Sequence, residues 1–181
     1  MEGVEDIPGA ALAEGIEWNW ETFPEYLEAL EKMPRVMDIA TQVPHGSVRA
    51  YVMGERGARN EEPTADDLIA MAQIVQEGIE AGALGFTSSR TMLHRALDGE
   101  PVPGTFAGAE EIIALGKAVA EAGGGVVEVA SDIGLGGLEG NFSTDIEWMR
   151  ELAGSYGLTV TYALTQADRD PQQWRDLLEM S

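Results

Sequence analysis

Short β-rich runs recur along this chain at intervals long enough to hold a helix each, and that alternation restricts the fold more than any other feature of the sequence. The runs are Val36–Val43 (VMDIATQV), Ala83–Ser89 (ALGFTSS), Val126–Ser131 (VVEVAS) and Leu158–Thr165 (LTVTYALT), each bounded by Gly, Pro or polar residues. They start at residues 36, 83, 126 and 158, which leaves 47, 43 and 32 residues from one start to the next. Strands separated by helices are joined by right-handed crossovers, and crossovers build parallel sheets. Two α/β architectures satisfy the pattern: a doubly wound sheet, or part of a (β/α)₈ barrel with about four of its strands.

The helical segments carry recognisable ends. Thr22-Phe23-Pro24-Glu25 is a capping box with Pro in the first turn, followed by Leu27, Leu30 and Met33 on one face. Thr64 caps a run whose apolar face is Leu68, Ile69, Met71, Ala72, Val75 and Ile79, stopped by Gly82. A third helix is expected from about Ala109, with Ile112, Ile113, Leu115, Val119 and Ala120 inward and Gly123-Gly124-Gly125 at its end. Thr144 is expected to cap a fourth, facing inward through Ile146, Met149, Leu152 and Ala153, and Asp170-Pro171 to open a fifth. A doubly wound nucleotide binder would show Gly-x-Gly-x-x-Gly after a strand. The glycines of residues 134–140 follow the third run without that spacing, which reads as a loop.

Ligands of parallel α/β sheets bind at the carboxyl ends of the strands, so the residues that follow each run are the candidates for chemistry. After the first stand Pro44-His45-Gly46-Ser47 and Arg49, and after the second Ser88-Ser89-Arg90, His94 and Arg95. Both histidines of the chain therefore fall at one rim. His45 reads either as a polar site group or as a turn residue bonded to backbone. His94 lies in a loop of about twenty residues, a length often used for lids and binding loops. Arg90 and Arg95 either clamp a substrate carboxylate or pair with Asp98 and Glu100. Glu128, inside an apolar strand, must be paired or must line the site. The carboxylates Glu61-Glu62, Asp66-Asp67 and Glu110-Glu111 sit near helix starts, where the helix dipole accounts for them. No Ser-His-Asp order, His-x-His pair or His-Glu-x-x-His occurs, and the chain has no cysteine, so thiol and Cys-ligated metal chemistry are excluded.

Composition limits the partners. Against 32 Asp and Glu there are 11 Lys and Arg, a formal charge of −21, which repels phosphate backbones and anionic headgroups; neither nucleic acid nor a membrane surface is expected. With 44% hydrophobic residues the 181-residue chain is that of a folded protein. No apolar run reaches membrane-spanning length and no secretory signal is present, so a cytoplasmic address is expected.

The runs MEGVEDIPG, WNWETFPEYLEALE, QVPHGSVRAYVMGERG, EGIEAGALGFTSSRTMLHR and DGEPVPGTFAG resemble, in order and spacing, the middle of the N-acyl-D-amino-acid deacylases (D-aminoacylases) of the metal-dependent amidohydrolase superfamily. The resemblance implies that residues 1–181 are an incomplete barrel domain, with the four runs near its third to sixth strands. It implies hydrolysis of the non-peptide amide bond of an N-acyl-D-amino acid, a small-molecule substrate, by water activated on zinc. It carries over His45 and Gly46, and Ser88 and Ser89, as pocket-lining residues, with Arg90, His94 and Arg95 beside them. In this reading His45 donates to a carbonyl or oxyanion, and Arg90 or Arg95 holds the substrate carboxylate. The family's metal ligands near the ends of the fifth and sixth strands have no counterpart: the sequence there reads Val129-Ala130-Ser131-Asp132 and Tyr162-Ala163-Leu164-Thr165, so no metal-ligand set is expected within this chain. A non-catalytic barrel portion kept for binding or assembly is the alternative. Half a barrel leaves strand edges unpaired, from which self-association or poor stability of the isolated chain is expected.

Overall fold

The computed structural model describes residues 2–132, 142–166, 168 and 170–181. Along the chain run α1 (Glu2–Glu5), α2 (Gly9–Gly15), α3 (Phe23–Lys32), β1 (Val43–Pro44), α4 (His45–Met53), α5 (Glu55–Ala58), α6 (Ala65–Glu80), β2 (Gly85–Arg90), α7 (Ala109–Glu121), β3 (Val126–Ser131), α8 (Phe142–Tyr156), β4 (Thr159–Tyr162) and α9 (Gln173–Met180). The four strands form one sheet in the order β1-β2-β3-β4, every pair parallel. Spatial order equals chain order, with no reversal. Successive right-handed crossovers then place α6, α7 and α8 on the same side, as in the wall of a (β/α)₈ barrel; a doubly wound sheet would reverse its order and carry helices on both faces.

Register separates the two faces of the sheet. Val43, Phe86, Val127 and Val160 stand in one row across it, and Ser88, Val129 and Tyr162 in the next row of the same face. Val43, Phe86, Val127 and Val129 are buried under Met71, Val75 and Ile79 of α6, Ile112, Leu115 and Val119 of α7, and Ile146, Met149 and Leu152 of α8. The opposite face carries Pro44, Thr87, Glu128 and Thr161 in one row and Ser89 and Ala130 in another. Glu128 and Thr161 are exposed there. This second face is the one that a complete barrel turns inward.

The expected capping box at Thr22 forms, and the expected cap at Thr64 is a full capping box as well. The Thr22 hydroxyl accepts from Glu25 N and Thr64 from Asp67 N, and each carboxylate returns the bond. The expected β3 span is reproduced, and α7 starts at Ala109. Four expectations are corrected. The run Val36–Val43 is a strand only at its end, because Val43 already pairs with Phe86 and the residues before it lie beyond the start of β2. Val36, Met37 and Ile39 are exposed, and a single bond from Leu84 N to the Thr41 carbonyl (2.8 Å) continues the pairing. Next, α8 begins at Phe142, so Thr144 lies inside that helix, while α9 begins at Gln173, after the Asp170-Pro171 step. Ile69 of α6 and Ala153 of α8 face solvent, not the core. Finally, His45 opens α4 instead of a turn, a helix without a side-chain cap and therefore without the usual signature at its start. The glycines of residues 134–140 lie outside the described residues.

Candidate functional site

Strand β2 carries the sequence-predicted residues to both faces of the sheet. Consecutive strand residues point to opposite sides, so Ser88 and Arg90 face the helices while Ser89 faces the barrel interior. The residues expected to share one pocket are thereby divided into two groups with the sheet between them.

Behind the sheet, His45 is 1% exposed and has both ring nitrogens engaged. Its Nε2 lies 2.8 Å from Glu111 Oε1 and its Nδ1 2.9 Å from Ser88 Oγ. A carboxylate only accepts, so Nε2–H donates to Glu111, and in the neutral ring Nδ1 accepts the Ser88 hydroxyl. Arg49, 2% exposed, donates from Nη1 to both Glu111 oxygens (3.3 and 3.1 Å) and from Nη2 to the Glu61 carbonyl. Arg49 Nε is buried without a partner. The loop after β2 closes over this cluster: a Cβ on Gly104, whose φ is +93°, would stand 2.7 Å from His45 Nδ1, and one on Gly46 would stand 3.0 Å from the Pro103 carbonyl. His45, Gly46 and Ser88 are thus packed between sheet, α4, α7 and loop. His45 and Gly46, expected to line the pocket, are placed with the ring on the helical side of the sheet, in contact with Ser88 and Glu111.

Arg90 is also committed. Its Nε lies 3.1 Å and its Nη2 3.0 Å from Asp145 Oδ1, its Nη1 donates to the Ala107 carbonyl (2.5 Å), and Trp148 Nε1 donates to the same Asp145 oxygen (2.9 Å). Its ion pair is with a helix residue of α8, not with Asp98, Glu100 or open space. Glu111, for which the helix dipole accounts in the sequence, and Asp145, not among the expected site residues, are the two buried carboxylates that hold these arginines. A signal for both was present: Glu111 stands four residues before Leu115, and Asp145 three before Trp148 and four before Met149, which puts each carboxylate on the buried stripe of its helix.

On the inner face, at the carboxyl end of β2, Ser89 Oγ lies 2.8 Å from His94 Nδ1. The imidazole Nε2 has no hydrogen-bond partner among the described residues. His94 is half-buried, so a ligand at the rim can reach it. Glu128 accepts from Gln42 Nε2 (2.6 Å) on the same face, one row deeper. Glu128 is thus paired, as a carboxylate in an apolar strand requires, and it is exposed on the inner face.

The loop from Thr91 to Gly108 is a built element. Asp132 accepts from Thr91 Oγ1 and from Met92 N (2.7 Å), which fixes its start to the end of β3. An antiparallel bridge joins Arg95 to Pro101, with Ala96 N donating to the Glu100 carbonyl (2.8 Å) and Val102 N to the His94 carbonyl (3.2 Å), so the centre is a small hairpin. Asn60 holds its return limb, donating to the carbonyls of Pro101 (3.2 Å) and Val102 (3.3 Å) and accepting from Gly104 N (2.8 Å). Arg95 is exposed, and its Nη1 donates to the Gly99 carbonyl (2.6 Å) instead of pairing with Asp98 or Glu100.

Among the described residues no three His, Cys, Asp or Glu side chains converge as a metal-holding group. Asp132, at the end of β3, spends its oxygens on Thr91 and Met92. The described residues do not by themselves fit a zinc site.

Comparison with known proteins places this wall. A protein of Mycobacterium tuberculosis (strain ATCC 25618 / H37Rv) described as uncharacterized is 30% identical over 113 residues, 58% of this chain and 18% of that protein. The D-aminoacylase of Alcaligenes xylosoxydans xylosoxydans is 34% identical over 79 residues, 42% of this chain and 15% of the enzyme. The crystal structure of the N-acyl-D-glutamate deacylase of Bordetella bronchiseptica, complexed with zinc and a phosphonate inhibitor, superposes with a TM-score of 0.68 over 96% of this chain and 34% of that one, at 22% identity. This chain therefore spans less than a fifth of the two curated relatives and about a third of the solved enzyme. That likeness in fold accounts for four parallel strands in chain order with α6, α7 and α8 packed on one face. Because the amidohydrolase family model matches residues 1–180, nearly the whole sequence, the chain belongs to the amidohydrolase family.

Proposed function

We propose that this chain forms part of the substrate-facing wall of an amidohydrolase that cleaves the non-peptide amide bond of N-acyl-D-amino acids. Hydrolysis adds water across the C–N bond and releases a carboxylate and a free amino acid. The observation that carries the reading is the Ser89–His94 pair at the carboxyl ends of parallel strands, with Nε2 unpartnered among the described residues and the imidazole half-buried. The likeness to D-aminoacylase over 79 residues supports the substrate class. His94 Nε2–H donates to the acyl oxygen as negative charge develops on it. Arg95, the exposed guanidinium on the neighbouring hairpin, holds the substrate carboxylate. His45, Ser88 and Arg90 support the wall from the helical side.

The test is release of free amino acid from a panel of N-acyl-D-amino acids and their L enantiomers by the whole protein, with and without chelator. Turnover of D substrates, with kcat/KM lowered by about a hundredfold in His94→Gln, is the expected result. An unchanged rate in that variant removes His94 from the site, and no turnover of either enantiomer sinks the activity. A second reading, a barrel portion retained for binding or assembly, is favoured by the absence of a metal-holding group among the described residues. Zinc below a tenth of an equivalent together with no turnover decides for it.

A further inference from the structure

We propose that Ser88 is a positioning residue for the Ser89–His94 pair, and that the buried Glu111–His45 cluster behind the sheet sets the imidazole presented on its inner face. The two serines are adjacent on one short strand and are held from opposite sides. Ser88 Oγ is 2.9 Å from His45 Nδ1, and His45 Nε2 is 2.8 Å from Glu111 in α7. Ser89 Oγ is 2.8 Å from His94 Nδ1.

Rigidity makes the chain of contacts effective. Ser88, His45, Arg49 and Glu111 are all at most 3% exposed, and Glu111 is held by two donors, so the cluster has little room to rearrange. The Phe86 ring lies 5.4 Å from that of His45 and closes the cluster toward the strand start. At the carboxyl end of β2 no further residue pairs with β1, whose contacts with β2 stop at Pro44–Thr87. The height and rotation of Ser88 and Ser89 are therefore fixed by β3 on one side and by the His45 clamp on the other, with Arg90 anchoring the strand end through Asp145 and the Ala107 carbonyl, so that Ser88 contributes one hold among three. A Ser89 hydroxyl that donates a hydrogen bond to Nδ1 at this 2.8 Å distance keeps the proton of the neutral ring on Nε2, the nitrogen without a partner among the described residues, and this is the tautomer assigned to His94. Release of Ser88 lets the strand end move by the few tenths of an ångström that weaken this bond. The purpose of the coupling rests on the reading of the inner face as the substrate wall, but the ring's tautomer is measured without any substrate.

The chain has two histidines, so selective ¹⁵N labelling of histidine gives two ring systems to follow by NMR in the 181-residue chain. In Ser89→Ala the Nδ1–H tautomer of His94 is expected to grow about fivefold relative to Nε2–H, the change that one net hydrogen bond supports. Ser88→Ala moves His94 in the same direction by a smaller amount, and Ser88→Thr, which keeps the hydroxyl, restores the original ratio. Ser131→Ala serves as control, since Ser131 is also buried but bonds the Ala163 carbonyl. If Ser88→Ala does not fold, Ser88→Cys, close in volume and a weaker donor, is read in the same way. A His94 ratio unchanged in the Ser88 variants overturns the proposal, as does a shift in Ser131→Ala as large as that in Ser88→Ala. Failure of the deacylase assay with the tautomer shift present would remove the function and leave the coupling.

Discussion

Buried charge is concentrated in side chains that the first turns of helices supply. Glu111 and Asp145 each meet an arginine, Arg49 and Arg90, inside the protein. A buried ion pair adds little net stability, yet loss of one partner strands the other and costs about 3–5 kcal/mol, so both pairs act as fixed joints. Asp67 is the counterpart nearer the surface. It accepts from Thr64 N (2.8 Å) and from Arg56 Nη2 (2.9 Å), and these bonds, the backbone one first, lower its carboxyl from 3.8 to about 2. A carboxyl lowered by folding contributes stability that is complete above its unfolded value and is lost as pH falls through the folded one. The melting temperature of the wild type should therefore fall between about pH 4 and pH 2 more steeply than that of Asp67→Asn, which lacks the ionisation. Equal slopes in thermal melts across that window would show that the bonds do not survive in solution.

Elements differ in how much neighbouring structure they need. The capped helices α3, α6 and α7 and the strand β3 carry their own signatures, in caps, periodicity and bounding glycines. For β1 the neighbour decides, because the apolar run before Val43 has no partner strand to lie against. Close approach between elements is permitted by glycine at specific points. A Cβ on Gly85 would stand 1.8 Å from the Val126 carbonyl oxygen, which is backbone and cannot swing away. One on Gly116 would stand 2.5 Å from Leu152 Cδ2, the free end of a flexible side chain. Gly85→Ala is accordingly expected to destabilise by about 3 kcal/mol or more and Gly116→Ala by about 1–3 kcal/mol, in that order, by urea denaturation. The reverse order would mean that β2 and β3 separate more easily than their register implies.

At the scale of the molecule, four parallel strands end, among the described residues, in two edges without a strand partner, on β1 and on β4, and Glu128 and Thr161 of the inner face are exposed. Thr159 and Thr161 of β4 are exposed there. Open parallel edges are templates for further pairing. In light scattering after size exclusion, the isolated 181-residue chain is expected to elute as folded, associated species. A cooperative monomer would show that the helical layer alone holds the half-barrel. Among the described residues no helix is long and apolar enough to cross a membrane.

Local chemistry was sufficient for the alternation, the capping boxes, the rim on which Ser89 and His94 stand, and the family likeness, because caps, glycines and apolar periods act within a few residues of one another. Tertiary structure alone decided the face on which each rim residue lies. Ser88 and Ser89 are neighbours of identical chemistry, and only the register of β2 against β3 and the packing of α7 put one against His45 and the other against His94. The same holds for Glu111, an ordinary first-turn acid in sequence, which the fold buries between a histidine and an arginine contributed by a helix 62 to 66 residues earlier. Pairing between residues that distant is set by the sheet, not by the chain that connects them.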